Sequence, residues 1–146
     1  MIKFVLVVAV VATAALMPHS AQAMSAFAGG IPSSVASRGL AVGDGYNFST
    51  RAGAEAKALE ECRAEGVAPQ DTRDLCSVIA YFDNECLAVA IDPAAGTPGW
   101  GFAIAKTRDL AKSFALAYCQ QTAGASRAAY CEVTITDCDT TNAPAN

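Results

Sequence analysis

The chain has 146 residues, 53% of them hydrophobic and only 16% charged, with a net charge of −4 at pH 7. An acidic balance does not attract phosphate backbones or anionic headgroups, so nucleic acid and membrane surfaces are disfavoured as partners. The single histidine, His19, lies in a leader-like N-terminus; without it the rest can build no Ser-His-Asp triad, Cys-His pair or imidazole metal site.

The N-terminus opens with Met1-Ile2-Lys3, a short positive segment, and continues as an apolar run from Phe4 to Met17 that Pro18 and His19 break. Ala21-Gln22-Ala23 then supplies the small residues that a signal peptidase reads, so residues 1–23 are expected to be a cleavable signal peptide. The apolar run is short for a membrane span, which needs about 18 residues or more. Met24 rather than a cysteine follows the cut, which argues against a lipoprotein anchor. Cleavage removes Lys3, the leader's one charged residue, and takes the net charge from −4 to −5. The expectation is a periplasmic or secreted domain over 24–140, with no membrane span after cleavage and a flexible tail at 141–146.

Six cysteines follow the leader: Cys62, Cys76, Cys86, Cys119, Cys131 and Cys138. An even count in an exported chain reads as disulfides, and the absence of a Cys-x-x-Cys motif argues against zinc ribbons and thioredoxin-like redox pairs.

In chain order, Ser25 to Ala28 and Leu40 to Phe48 read as strands separated by Gly29-Gly-Ile-Pro-Ser-Ser34. Thr50 or Ser49 caps a helix in which Ala54, Ala58 and Cys62 fall at i, i+4 and i+8, with Gly66 at its end. A polar loop holding Asp71 and Asp74 leads to a strand from Cys76 to Phe82. Strands from Cys86 to Ile91 and from Trp100 to Lys106 are joined by the turn-forming linker Asp92 to Gly99. Thr107 caps a second helix with Ala111, Ala115 and Cys119 on one face and Gly124 at its end, before a last strand over Ala129 to Thr136.

The two halves repeat. Thr50-Arg51, Ala54, Ala58-Leu59 and Cys62 match Thr107-Arg108, Ala111, Ala115-Leu116 and Cys119 in register, and each helix leads on to a cysteine that opens an apolar run, Cys76 or Cys131. The expected unit is strand, strand, helix, strand, used twice, over about 24–83 and 84–138. Two helices with small-residue faces would then cover one face of a single antiparallel sheet, giving an α+β domain stapled by disulfides. Symmetry between the halves favours the pairs Cys62–Cys76 and Cys119–Cys131, with Cys86–Cys138 left to bridge the halves, although six cysteines allow many connectivities.

These residues resemble domain-of-unknown-function family 4189. The resemblance lies in the two Ala-x-x-x-Ala-Leu-x-x-Cys helices, Cys76, Phe82-x-Asn84-x-Cys86, Gly99-Trp100-Gly101 and the closing Cys131 and Cys138, and it covers about Ser25 to Cys138. It implies a small secreted bacterial domain with disulfides and carries over no catalytic residue; the residues themselves suggest no cofactor and no metal. Gly29-Gly30-Ile31-Pro32 and the serines after it depart from the pattern.

Candidate sites are few. Trp100, Phe82 and Asn84 are the possible binding residues: Trp100 would anchor a partner if exposed and fill the core if buried, and Asn84 suits a turn. Glu61 and Glu65 read as a solvated helix pair. Asp137 and Asp139 could offer oxygens to a cation, but their segment lacks the glycine and ligand number of a calcium loop. Asn47-Phe-Ser49 matches a glycosylation sequon by coincidence. No nucleophile elbow and no phosphate-binding glycine loop appears. The leading expectation is a non-enzymatic module that binds a protein or an envelope polymer. The alternatives are a carboxylate-dependent hydrolase of envelope polymers, which needs two converging acids, one of them buried, and a secreted inhibitor or effector of a protein target.

Overall fold

The computed structural model describes residues 24–139. The expected leader, Met1 to Ala23, and the expected tail at 141–146 lie outside the described residues. In chain order the elements are β1 (Met24–Gly30), α1 (Val35–Arg38), β2 (Ala41–Phe48), α2 (Arg51–Ala64), α3 (Gln70–Arg73), β3 (Ser77–Phe82), β4 (Cys86–Ile91), β5 (Trp100–Ala105), α4 (Arg108–Ala123), a 3-10 turn (Ala128–Tyr130) and β6 (Glu132–Cys138).

The fold is α+β, but the expected single sheet is wrong. The strands form two separate three-stranded antiparallel sheets, ordered β2-β1-β3 and β5-β4-β6, and the described residues hold four α-helices rather than two. The reason lies in the central strands, which are apolar on both faces. Ala26 and Ala28 of β1 pack in one buried cluster with Ala54, Ala58 and Cys62 of α2, and Ala88 and Ala90 of β4 do the same with Ala111, Ala115 and Cys119 of α4. The alternate residues Phe27, Leu87 and Val89 form a third buried cluster with Phe82, flanked by Val42, Ile79, Ile91, Phe102, Ile104 and Ile135. One sheet with helices on a single face would leave that second set in water. Stacking the sheets buries it.

The helix faces explain why the halves are built alike. Thr50 Oγ1 accepts from Gly53 N–H and Thr107 Oγ1 from Leu110 N–H, satisfying first-turn amides. Small residues let each helix lie against its sheet, and one glycine in each half makes the contact possible. A Cβ on Gly43 would sit 2.2 Å from Cys62 N and 2.5 Å from Ala58 O; one on Gly101 would sit 2.6 Å from Cys119 N and 2.8 Å from Ala115 O. Gly43 of β2 and Gly101 of β5 therefore occupy the same place in the two halves.

Disulfides join Cys62 to Cys76, Cys119 to Cys131 and Cys86 to Cys138. The last does not bridge the halves: Cys86 and Cys138 are directly opposed on β4 and β6, within one sheet. Other local expectations also shift. The polar loop after α2 contains α3, where buried Thr72 donates to Arg38 O, Asp71 pairs with Arg38 at 2.7 Å and Asp74 accepts from Gln70. Glu61 pairs with Lys57 at 3.2 Å, whereas Glu65 lies past the helix end and accepts from Val67 N–H and Ala68 N–H, so the two do not form a helix-face pair. The last strand starts at Glu132, because residues 128–130 turn as a 3-10 helix anchored by Arg127. Among the described residues no helix is long and apolar enough to cross a membrane.

Candidate binding groove on the free edge of the second sheet

β5 is a terminal strand of its sheet, and α4 packs across the same sheet. Between them runs a groove of about 660 Å³, within the size range of small-ligand sites. Trp100, Phe102 and Ile104 line it from β5, and Phe114, Tyr118 and Thr122 line it from α4. No lining residue carries a charge.

Local sequence accounts for each side. Along β5, Gly101, Ala103 and Ala105 are buried under the helix, which turns the alternate Trp100, Phe102 and Ile104 to the other face, where they are half-buried. Trp100 stacks on Phe102 with ring centroids 6.2 Å apart, and Phe102 meets Phe27 of the first sheet at 5.0 Å. Along α4, Leu110, Phe114 and Tyr118 follow one another at i, i+4 and i+8, one position before the buried stripe of Ala111, Ala115 and Cys119. They remain 47%, 49% and 54% exposed. Thr122 holds the end of the groove: its Oγ1 accepts from Trp100 N–H at 2.9 Å and donates to Trp100 O at 2.7 Å.

The residues singled out in the sequence do not come together. Trp100 lines the groove and is half-buried. Phe82 is buried between the sheets and touches a separate, smaller hollow that Lys106 and Glu85 also line. Asn84 sits in the turn between β3 and β4 with φ of 53° and donates to Asp83 Oδ1 at 2.7 Å. Phe102, Ile104, Phe114 and Tyr118 were missed in the sequence. The alternation along β5 and the second stripe on α4 were the signals that could have found them.

The corresponding edge of the first half differs in chemistry. Counting from Gly43 and Gly101, Asp44 stands where Phe102 does and Tyr46 where Ile104 does. Counting from Cys62 and Cys119, Lys57 and Glu61 stand where Phe114 and Tyr118 do. Lys57 and Glu61 form an ion pair there.

Two acids from different sheets meet at that edge. Asp44 pairs with Phe27 along β2 and Asp137 pairs with Leu87 along β6, so both side chains lie on the faces turned toward the other sheet. Asp44 is 8% exposed, and among the described residues its Oδ2 has no hydrogen-bond partner. Burial pushes its carboxyl up to about 7, with the charges of Asp137 and then Glu61 adding to the rise. Asp139, fully buried, accepts from Ser25 Oγ at 2.8 Å; burial raises its carboxyl and the Ser25 hydroxyl partly opposes this. Among the described residues no three metal-ligating side chains converge. At the other end of the second sheet, Arg127 binds Asp92 through two hydrogen bonds of 2.5 and 2.8 Å and holds that carboxyl below its usual range.

The chain matches no curated protein and no solved structure. A family model, described as a domain of unknown function, DUF4189, matches residues 28–138, nearly all of the described region. This small disulfide-stabilised chain belongs to the DUF4189 family.

Proposed function

We propose that the chain is an exported, non-enzymatic interaction module, and that its contact surface is the groove between β5 and α4. The leader-like N-terminus and the three disulfides support the export reading, and the matching element order of the two halves supports an internal duplication. One observation carries the binding reading: aromatic side chains stand half-exposed in a row beside a strand edge, in a groove lined by no charged group. Of the two hydroxyls there, that of Tyr118 is on the groove wall, while that of Thr122 accepts from Trp100 N–H and lies within donating distance of Trp100 O and of two carbonyls of its own helix.

A library of displayed random dodecapeptides, selected against the chain and against a Phe114→Ser, Tyr118→Ser double variant, tests this. Both side chains are half-buried, so the variant should lose roughly 1–3 kcal/mol, and its circular dichroism must show it folded before the selection. The wild type should enrich a common apolar motif that the variant does not. Equal enrichment by both, or none by either, would refute the groove as a contact surface.

The second reading, a carboxylate-dependent hydrolase of envelope polymers, draws on Asp44 and Asp137, a pair whose charges oppose one another with one carboxyl near neutrality. It predicts hydrolysis of cell-wall polymer that Asp44→Asn abolishes. Absence of such hydrolysis removes it.

A further inference from the structure

We propose that the groove takes an extended, uncharged peptide segment of another protein, which joins the second sheet as a fourth strand alongside β5. This rests on the groove being the contact surface and adds the kind of partner and the mode of recognition.

The backbone of β5 carries the argument. As a terminal strand it has a neighbour on one side only. Both the N–H and the carbonyl of Trp100 are taken by Thr122 on α4, so they point away from β4. Hydrogen-bonding direction alternates along a strand. The backbone groups of Phe102 and Ile104 therefore point the same way as those of Trp100, toward the open edge. Among the described residues, no hydrogen bond outside the sheet takes them up. Two donors and two acceptors at strand spacing are matched by another strand, as in recognition by strand addition. Phe114 and Tyr118 would then cover one face of the incoming segment, while Phe102 and Ile104 lie level with its other face. Large apolar residues at alternate positions suit that setting, and a charge would lose its hydration against a lining that has none.

Size and shape argue against a folded partner or a second copy. The edge is one six-residue strand, whereas a stable protein–protein interface draws about 20–30 residues from each side. Antiparallel pairing of β5 with β5 of another copy would bring the second α4 onto the same face, so a dimer of the free chain in sedimentation would overturn this proposal.

The test uses an octapeptide of alternating threonine and valine with one central phenylalanine, capped at its N-terminus with a fluorescein label, and the same labelled peptide with its central amides N-methylated. Each is titrated against the full chain by fluorescence anisotropy, and amide exchange is followed at Phe102 and Ile104. The unmodified peptide should bind and slow exchange at both amides. Methylation should weaken it by about tenfold, as loss of two hydrogen bonds requires, and Phe114→Ala should weaken it as well. Equal binding of the two peptides, still sensitive to Phe114→Ala, would overturn strand addition and leave the groove as a contact surface. Failure of the unmodified peptide to bind would also overturn strand addition, and the library selection then decides the groove reading separately.

Discussion

At the scale of single residues, Asp44 has the largest energetic consequence. Its carboxyl is nearly buried, its Oδ2 lacks a donor among the described residues, and its pKa rises from an ordinary 3.8 to about 7. A carboxyl whose folded value is raised binds more protons in the folded state than in the unfolded state between those two values. The contribution of Asp44 to stability is therefore greatest below about pH 4, falls as pH rises toward 7, and levels off above it. Urea unfolding at pH 5 and pH 8 should show this decline. Asp44→Asn should flatten it and raise stability at pH 8 by about 1–3 kcal/mol; an unchanged slope would mean that Asp44 is ionised throughout. Asp92 runs in the opposite sense. Its lowered value contributes stability that is present above the ordinary carboxylate range and is lost only in strong acid. Gly43 and Gly101 give a second prediction at this scale. A methyl group at either would press on the backbone of its helix, so Gly43→Ala and Gly101→Ala should each cost about 1–3 kcal/mol. Gly66→Ala, where nothing lies within 4 Å, should cost nothing. Equal effects at the three sites would show that the helices can move away from the sheets.

At the scale of elements, the disulfides differ in reach. Cys119–Cys131 and Cys62–Cys76 span 12 and 14 residues, and Cys86–Cys138 spans 52. On the chain-entropy model, replacing either short pair by alanines should cost about 3 kcal/mol and replacing the long pair about 4 kcal/mol. Thermal unfolding of the three double variants should rank them in that order. Much at this scale was legible in sequence. The helices could be read because alanine and cysteine recur at helical spacing behind a threonine cap, and the strand cores because they are short apolar runs between turn residues. The number of sheets was misread because the alternation of small and large apolar residues in Cys86-Leu-Ala-Val-Ala-Ile91, which marks burial on both faces, was not weighed when two helices were set on one face of a single sheet. α1 and α3 were missed because four-residue helices have no periodicity to read; a tertiary tie such as Thr72 to Arg38 O holds α3 in place.

For the whole molecule, the two halves share an architecture and differ in their exposed edges. Aligned positions carry Asp44, Lys57 and Glu61 in one half and Phe102, Phe114 and Tyr118 in the other. The shared positions are the alanines, the cysteines and the glycines that set helix against sheet, while the divergent ones belong to the edge strands and to the helix flank beside them. That division explains how far the candidate site could be read. Trp100 stood out as the only tryptophan, but the aromatic residues on α4 lie beside a buried stripe and look like part of it until the sheet is in place. The acid pair was out of reach, since Asp44 and Asp137 are far apart in sequence and meet only when the two sheets stack.

The closure of the first sheet before Cys86 has a temporal meaning. β1, α2 and β3 together with Cys62 and Cys76 are complete by Phe82, and no disulfide leaves that half. A chain entering an oxidising compartment with its N-terminus leading would present Cys62 and Cys76 with no later thiol yet available as a wrong partner. The remaining two bonds are nested, Cys119–Cys131 inside Cys86–Cys138, so the inner one can close while the outer one waits for the last strand. For a chain delivered in that order the first bond has no competitor, whereas Cys86 and Cys119 are both present before Cys131, so the second half must fold, or reshuffle its thiols, to reach its nested pairing.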